Sequence, residues 1–206
     1  MSAGGPVPRW AVGIAVTAAA LLAMAPTARA RDTTPPADVQ PGRTITVVGI
    51  GDVLVHRQII AQAQQDSLGR RRIDFRPQLA GIAPLVQAAD VAICTIEFVF
   101  GGRRGPWTAW PDTPNGPPQL AQGMAATGFD ACTTATNHVL DKCFPGVVRT
   151  LDALDRAGIP HTGSARTEAE AETPLILDVK GVPIALLSYS FSFNGIPLPA
   201  GQPWAA

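Results

Sequence analysis

Three short stretches of this chain carry residue types that can do chemistry together. Ala135-Thr136-Asn137-His138-Val139-Leu140-Asp141 brings an amide, an imidazole and a carboxylate within five positions. Asp52 closes the run Thr44-Ile45-Thr46-Val47-Val48-Gly49-Ile50-Gly51, and Glu97 closes Val91-Ala92-Ile93-Cys94-Thr95-Ile96. Each polar group follows an apolar, β-favouring run, and in open α/β folds the ligand crevice lies beyond the carboxyl ends of the strands. The three strand ends are therefore expected to converge on a metal. Carboxylates and amide oxygens suit hard divalent cations, and an imidazole widens the choice to zinc, manganese or iron. Such a set suits a two-metal hydrolase, in which the ions activate water and stabilise the leaving oxygen.

Each residue also has a plainer use. Asp52, behind Gly51, has the residue type of a helix N-cap for the residues from 53 onward. Glu97 ends an otherwise apolar strand and needs a partner there, for which Arg103 and Arg104 are candidates. Asn137 and His138 could be a turn and a satisfied histidine. The set is more telling than any one member.

The elements that must position these groups can be read from periodicity. A buried strand is predicted from Thr44, a short helix over residues 58–65, and a helix over residues 77–89 that Pro84 kinks or divides. A second strand runs from Asp90 to Glu97. Residues 100–118 are rich in glycine, proline and tryptophan and form a long loop, of a length that is usually functional. Trp107 and Trp110 either pin that loop to the core or offer a platform for a sugar or polymer. Residues 119–127 read as a helix ended by Gly128, residues 129–134 as a strand, and residues 145–157 as an amphipathic helix bounded by Pro145 and Gly158. Its polar face, with Arg149, Asp152, Asp155 and Arg156, reads as solvated surface. Residues 175–179 and 182–188 form a β-hairpin around Lys180-Gly181. Alternating strands and helices followed by a hairpin predict an α/β fold with at least one mixed sheet.

The first thirty residues read as an address. Arg9 precedes an apolar run over residues 10–25, and Ala28-Arg29-Ala30 has the small residues a signal peptidase requires, so cleavage is expected after Ala30. The run is shorter than the roughly 18 to 20 residues that span a bilayer, and an uncleaved N-terminal anchor is the alternative. Residues 31–43 form a polar, proline-rich linker, and the folded domain is expected over residues 44–206. Loss of residues 1–30 removes Arg9 and Arg29, turning 16 basic against 16 acidic residues into 14 against 16, a formal charge of −2. That balance argues against a nucleic-acid partner. The Arg70-Arg71-Arg72 cluster is expected in a solvated loop, where it could still steer an anionic polymer. Cys94 and Cys132 are expected to pack in strands as small apolar residues, although one disulfide plus a free thiol is open to Cys94, Cys132 and Cys143. Residues 190–206 trail off in glycine and proline, so the chain is expected to be the N-terminal portion of something longer.

Taken together, Gly51-Asp52-Val53-Leu54-Val55-His56, Ile73-Asp74-Phe75, Ala89 to Glu97, Gly128-Phe129-Asp130, Thr136-Asn137-His138-Val139-Leu140-Asp141 and Ala157-Gly158-Ile159-Pro160-His161-Thr162-Gly163 resemble, in order and spacing, the CapA family. These bacterial capsule or poly-γ-glutamate biosynthesis proteins are themselves similar to calcineurin-like metallophosphatases. The resemblance implies a four-layer α/β/β/α sandwich, of which this chain holds about the first half. It implies Asp52, Glu97 and Asn137 as ligands of divalent metal ions, two in number and manganese, iron or zinc in kind. His138 would contact the substrate phosphate or protonate the leaving group, Asp141 would orient that histidine, and His56 would stand at the rim. Thr95 and Thr136 stand where the family has asparagine, and Lys142-Cys143 where it has a glycine turn. The family's later histidine motifs have no counterpart before Ala206, so weak metal binding is expected of this chain alone. Two functions are implied: an exported metal-dependent hydrolase acting on a phosphoester or an anionic cell-surface polymer, or a non-catalytic accessory that helps synthesise, tether or export that polymer beside membrane-bound synthesis proteins.

Overall fold

The computed structural model describes residues 44–67, 73–108 and 113–206. The export signal, the linker, the Arg70–Arg72 cluster and Trp110 lie outside the described residues. Among the described residues no helix is long and apolar enough to cross a membrane.

The β-branched run near the start forms β1 (Val47–Val53), followed by α1 (Arg57–Asp66), α2 (Arg76–Leu79) and α3 (Ala83–Ala88). Pro84 stands in the first turn of α3, where its missing N–H costs nothing, and this divides the predicted single helix in two. Next come β2 (Val91–Ile96), β3 (Val99–Phe100), β4 (Asn115–Gly116), α4 (Gln119–Thr127) and β5 (Ala131–Thr133). Then α5 (Cys143–Ala157), β6 (His161–Thr162) and α6 (Glu168–Glu172) lead to the hairpin β7 (Leu175–Val179) and β8 (Val182–Leu186). Gly128 and Gly158 close α4 and α5 in the left-handed conformation, with φ of 109° and 74°, as their glycine identity led us to expect.

The main sheet has the order β1-β2-β5-β6 and is parallel throughout. Parallel neighbours need long crossovers; α1 to α3 supply the first, α4 lies in the second and α5 makes the third. Among the described residues the hairpin does not join this sheet, so its antiparallel pairing lies apart from the parallel main sheet, while Asn115 of β4 pairs parallel with β3 and forms an antiparallel bridge with Thr108. β6 is only two residues long and offers little edge for further pairing. Lys180 and Gly181 instead take φ of 56° and 77° and close β7 directly onto β8 in the geometry that right-twisted strands favour.

Helices cover one face of the main sheet. Ala92, Cys94, Ile96 and Cys132 point into a cluster with Phe75, Leu120, Met124, Leu151 and Leu154, all of them buried. Each fully buried leucine there contributes on the order of 1.5–3 kcal/mol. The polar face of α5 is not simply solvated: Asp152 and Asp155 bind the Arg166 guanidinium, which also holds Glu170, and Asp155 accepts a hydrogen bond from His161.

Cys94 and Cys132 are opposite each other in the β2–β5 register and are joined as a disulfide, with Cα atoms 4.4 Å apart. This corrects the expectation that they pack as separate apolar residues, because only the strand pairing, invisible in the sequence, brings them opposite each other. Cys143 is the free cysteine and is exposed. Titration of the unfolded, unreduced protein with a thiol reagent is expected to count one thiol per chain. Reducing the bond, which spans 38 residues, should lower stability by about 4 kcal/mol in the chain-entropy account; three titratable thiols before reduction would contradict the pairing.

Candidate functional site

Strand pairing decides where Asp52 points. Gly49 pairs with Ile93, but Asp52 rather than Gly51 pairs with Thr95, so β1 carries one extra residue at this point. A bulge of this kind re-aims the side chains beyond it. Without it, Asp52 would share the face of Val48 and Ile50, which pack on the helical core. With it, Asp52 shares the opposite face with Thr95, and it is exposed there. The aspartate thus sits inside β1, one residue from its end, and not after the strand as the sequence suggested.

Glu97 follows β2 on that same face by alternation. Its N–H donates to the Val53 carbonyl at 3.4 Å, which ties the ends of β1 and β2 together. The Thr136 hydroxyl donates to the Glu97 carbonyl at 2.6 Å and accepts from the His138 N–H at 3.2 Å. Thr136 therefore fastens the segment after β5 to the end of β2, a role with no signal in the sequence beyond its place beside Asn137.

His138 and Asp141 form the tightest pair of the site. Nδ1 of His138 lies 2.7 Å from Oδ2 of Asp141, whose side chain is only 2% exposed. A buried carboxylate needs such a partner, and the bond places the Nδ1 proton between the two, so Nε2 is the nitrogen left for chemistry. Nε2 lies 3.9 Å from Oε1 of Glu97. The partner of Glu97 is thus His138 and not Arg103 or Arg104, both exposed. Burial, followed by the charge of Asp52 and then that of Asp141, pushes the Glu97 carboxyl above the usual range, while His138 and His56 pull it down. His56 stands exposed at the N-terminal boundary of α1, without a capping hydrogen bond from its side chain. Asn137 is half-buried and donates from Nδ2 to Oδ1 of Asn194 at 3.2 Å. Asn194 was not among the expected site residues.

The donor set fits a divalent cation in its chemistry. It offers two carboxylates, with the charge of Asp52 opposing ionisation of Glu97, and an amide whose N–H is already engaged. Among the described residues, no three His, Cys, Asp or Glu side chains are gathered into a complete coordination group. Trp107 pins the long loop: it is partly buried against the core, and its indole N–H donates to the Gly102 carbonyl at 2.9 Å.

A helix-covered parallel sheet with acid, amide and imidazole groups at its carboxyl ends defines an α/β protein of the metallophosphatase-like kind. The family described as bacterial capsule synthesis protein PGA_cap matches residues 46–204, and the chain belongs to that family. Two curated relatives, the uncharacterized proteins y4sH and y4uA of Sinorhizobium fredii (strain NBRC 101917 / NGR234), are each 28% identical over 166 residues. The match takes in 76% of this chain and 33% of each relative, so the chain spans about a third of the length of the curated relatives it matches.

The raised Glu97 carboxyl has a consequence for stability. A group whose folded-state pKa is raised favours the fold fully below its unfolded value, here 4.5, and loses that contribution as pH rises through the folded value. In the presence of chelator, E97Q is therefore expected to raise the thermal midpoint at pH 7, with the gain vanishing below pH 4.5. Equal midpoints for E97Q and the parent at every pH would show that the acidic residues do not crowd one another.

Proposed function

We propose that this chain supplies the strand-end half of the site of an exported, metal-dependent hydrolase of capsule synthesis, with a phosphoester or a bond in an anionic cell-surface polymer as substrate. Poly-γ-glutamate is the polymer the family resemblance favours, and membrane-bound capsule synthesis proteins are the partners. The observation that carries the reading is the His138–Asp141 pair, whose free Nε2 faces the Glu97 carboxylate on the face that the β1 bulge gives to Asp52. A purely structural histidine has no need of a strand bulge that turns an aspartate out of the core. Export rests on the apolar N-terminal run and its Ala28-Arg29-Ala30 cleavage pattern.

Asp52, Glu97 and the Asn137 amide oxygen would hold the metal, which when bound supplies an activated water and charge stabilisation for the leaving oxygen. The chain's own residues do the rest. Asp141 fixes the imidazole of His138 with its Nδ1 proton engaged, so Nε2 presents its lone pair, or in the imidazolium its proton, toward the substrate side. When water attacks phosphorus and the bond to the leaving oxygen breaks, Nε2–H of the imidazolium gives that oxygen its proton. Thr136 keeps the ends of β2 and β5 from separating, so the carboxylate and the imidazole hold their spacing.

Protein produced over the whole reading frame is expected to carry about two equivalents of manganese, iron or zinc by elemental analysis. H138A should lower kcat on a phosphoester by roughly 10²–10⁴, the usual worth of a placed general acid. In cells, alanine at Asp52 or at His138 should abolish polymer output at normal protein levels. Unchanged output from both variants would replace this reading with that of a non-catalytic accessory in polymer synthesis, tethering or export.

A further inference from the structure

Asn194 reaches the site from 57 positions further along the chain than Asn137. It opens a tight turn in which the Ile196 N–H donates to the Phe193 carbonyl at 2.9 Å, and Asn194 and Gly195 take φ of 52° and 79°. A turn with two left-handed central residues favours Asn-Gly, so the residue type alone is accounted for by the backbone. The direction of its side chain is not. Phe193 and Ile196, on either side of the dipeptide, pack against the hydrophobic core and hold the turn against the site. From there Oδ1 of Asn194 accepts from Nδ2 of Asn137 at 3.2 Å, and its Nδ2 lies 3.5 Å from Nδ1 of His138. That second nitrogen already places its proton toward Asp141 at 2.7 Å, so the directed hydrogen bond is the one to Asn137.

A primary amide used as a metal ligand has a particular weakness. Its oxygen binds a cation and its nitrogen does not, yet the group can rotate to exchange them. No hydrogen bond among the described residues occupies Asn137 Oδ1. We propose that Asn194 is a positioning residue: by accepting from Asn137 Nδ2 it locks the carboxamide with its oxygen free to take a divalent cation. This rests on the metal-binding reading given above, which identifies Asn137 as a ligand. A partner that orients a ligand in this way is typically worth a 10–100-fold change in metal affinity.

The informative variant is N194G, because glycine accepts the same left-handed turn and only the amide is lost. Two readouts separate the outcomes. In the metal-free protein, solvent exchange of the Asn137 side-chain amide protons, followed by NMR, is expected to speed up in N194G while the thermal midpoint stays at the parent value. In a Mn²⁺ titration followed by the spectrum of the free ion, N194G should bind at least tenfold more weakly than the parent. Unchanged Asn137 exchange, or equal Mn²⁺ affinity in the two proteins, overturns the positioning role and leaves the metal reading standing. A fall in the midpoint that matches the loss of affinity also overturns it, since Asn194 would then be a brace of the fold. Faster exchange in N194G with no Mn²⁺ bound by the parent would uphold the contact and remove the metal from the account.

Discussion

The site depends on the parallel register of β1, β2 and β5. In a parallel sheet all strands end on the same side, so residues at three strand ends are neighbours although 45 and 40 positions separate them in the chain. Register alone would still send Asp52 into the helical core. The single extra residue in β1 between Gly49 and Asp52 turns the carboxylate to the other face, where Glu97 follows Thr95. Gly49 and Gly51 leave the space beside this bend open, since a Cβ built on either meets nothing within 4 Å.

The two faces of the sheet do opposite work. One is packed with helices, and the Cys94–Cys132 disulfide crosses between β2 and β5 on that side. The other carries groups that are expensive to hold together. Glu97 is desolvated and sits beside the charge of Asp52, and both effects oppose its ionisation. A chain selected for stability alone would place neutral groups here. The acids nonetheless stand next to an imidazole whose own partner is buried. The packed face works against this cost, because each of its buried leucines contributes on the order of 1.5–3 kcal/mol.

Much of this was legible in the residues. The glycines that stop α4 and α5, the turn at Lys180-Gly181 and the carboxylates near the ends of β1 and β2 all follow from local rules, and local rules suffice where a hydrogen bond or a φ angle is settled by near neighbours. The His138–Asp141 pair was implied by the family resemblance, and its two members are three positions apart. What was hidden is long-range. The bulge depends on the partner strand, the disulfide on two strands aligning Cys94 with Cys132, and Asn194 on a turn packed against a segment far back in the chain. The two-residue strands β3, β4 and β6 carry too few positions to show any alternation. The helical face of α5 looked solvated because Arg166, which binds Asp152 and Asp155, lies on a later loop.

The central claim is that Asp52, Glu97 and Asn137 are brought together to hold a divalent cation. It is tested most directly by crystals of the protein grown with Mn²⁺ and measured at the manganese absorption edge. The account predicts an anomalous peak bounded by Asp52, Glu97 and Asn137 Oδ1, on the side of the sheet away from the helical core. No peak at that place in crystals where Mn²⁺ is bound elsewhere, or a peak there that Asn137 does not touch, would contradict it.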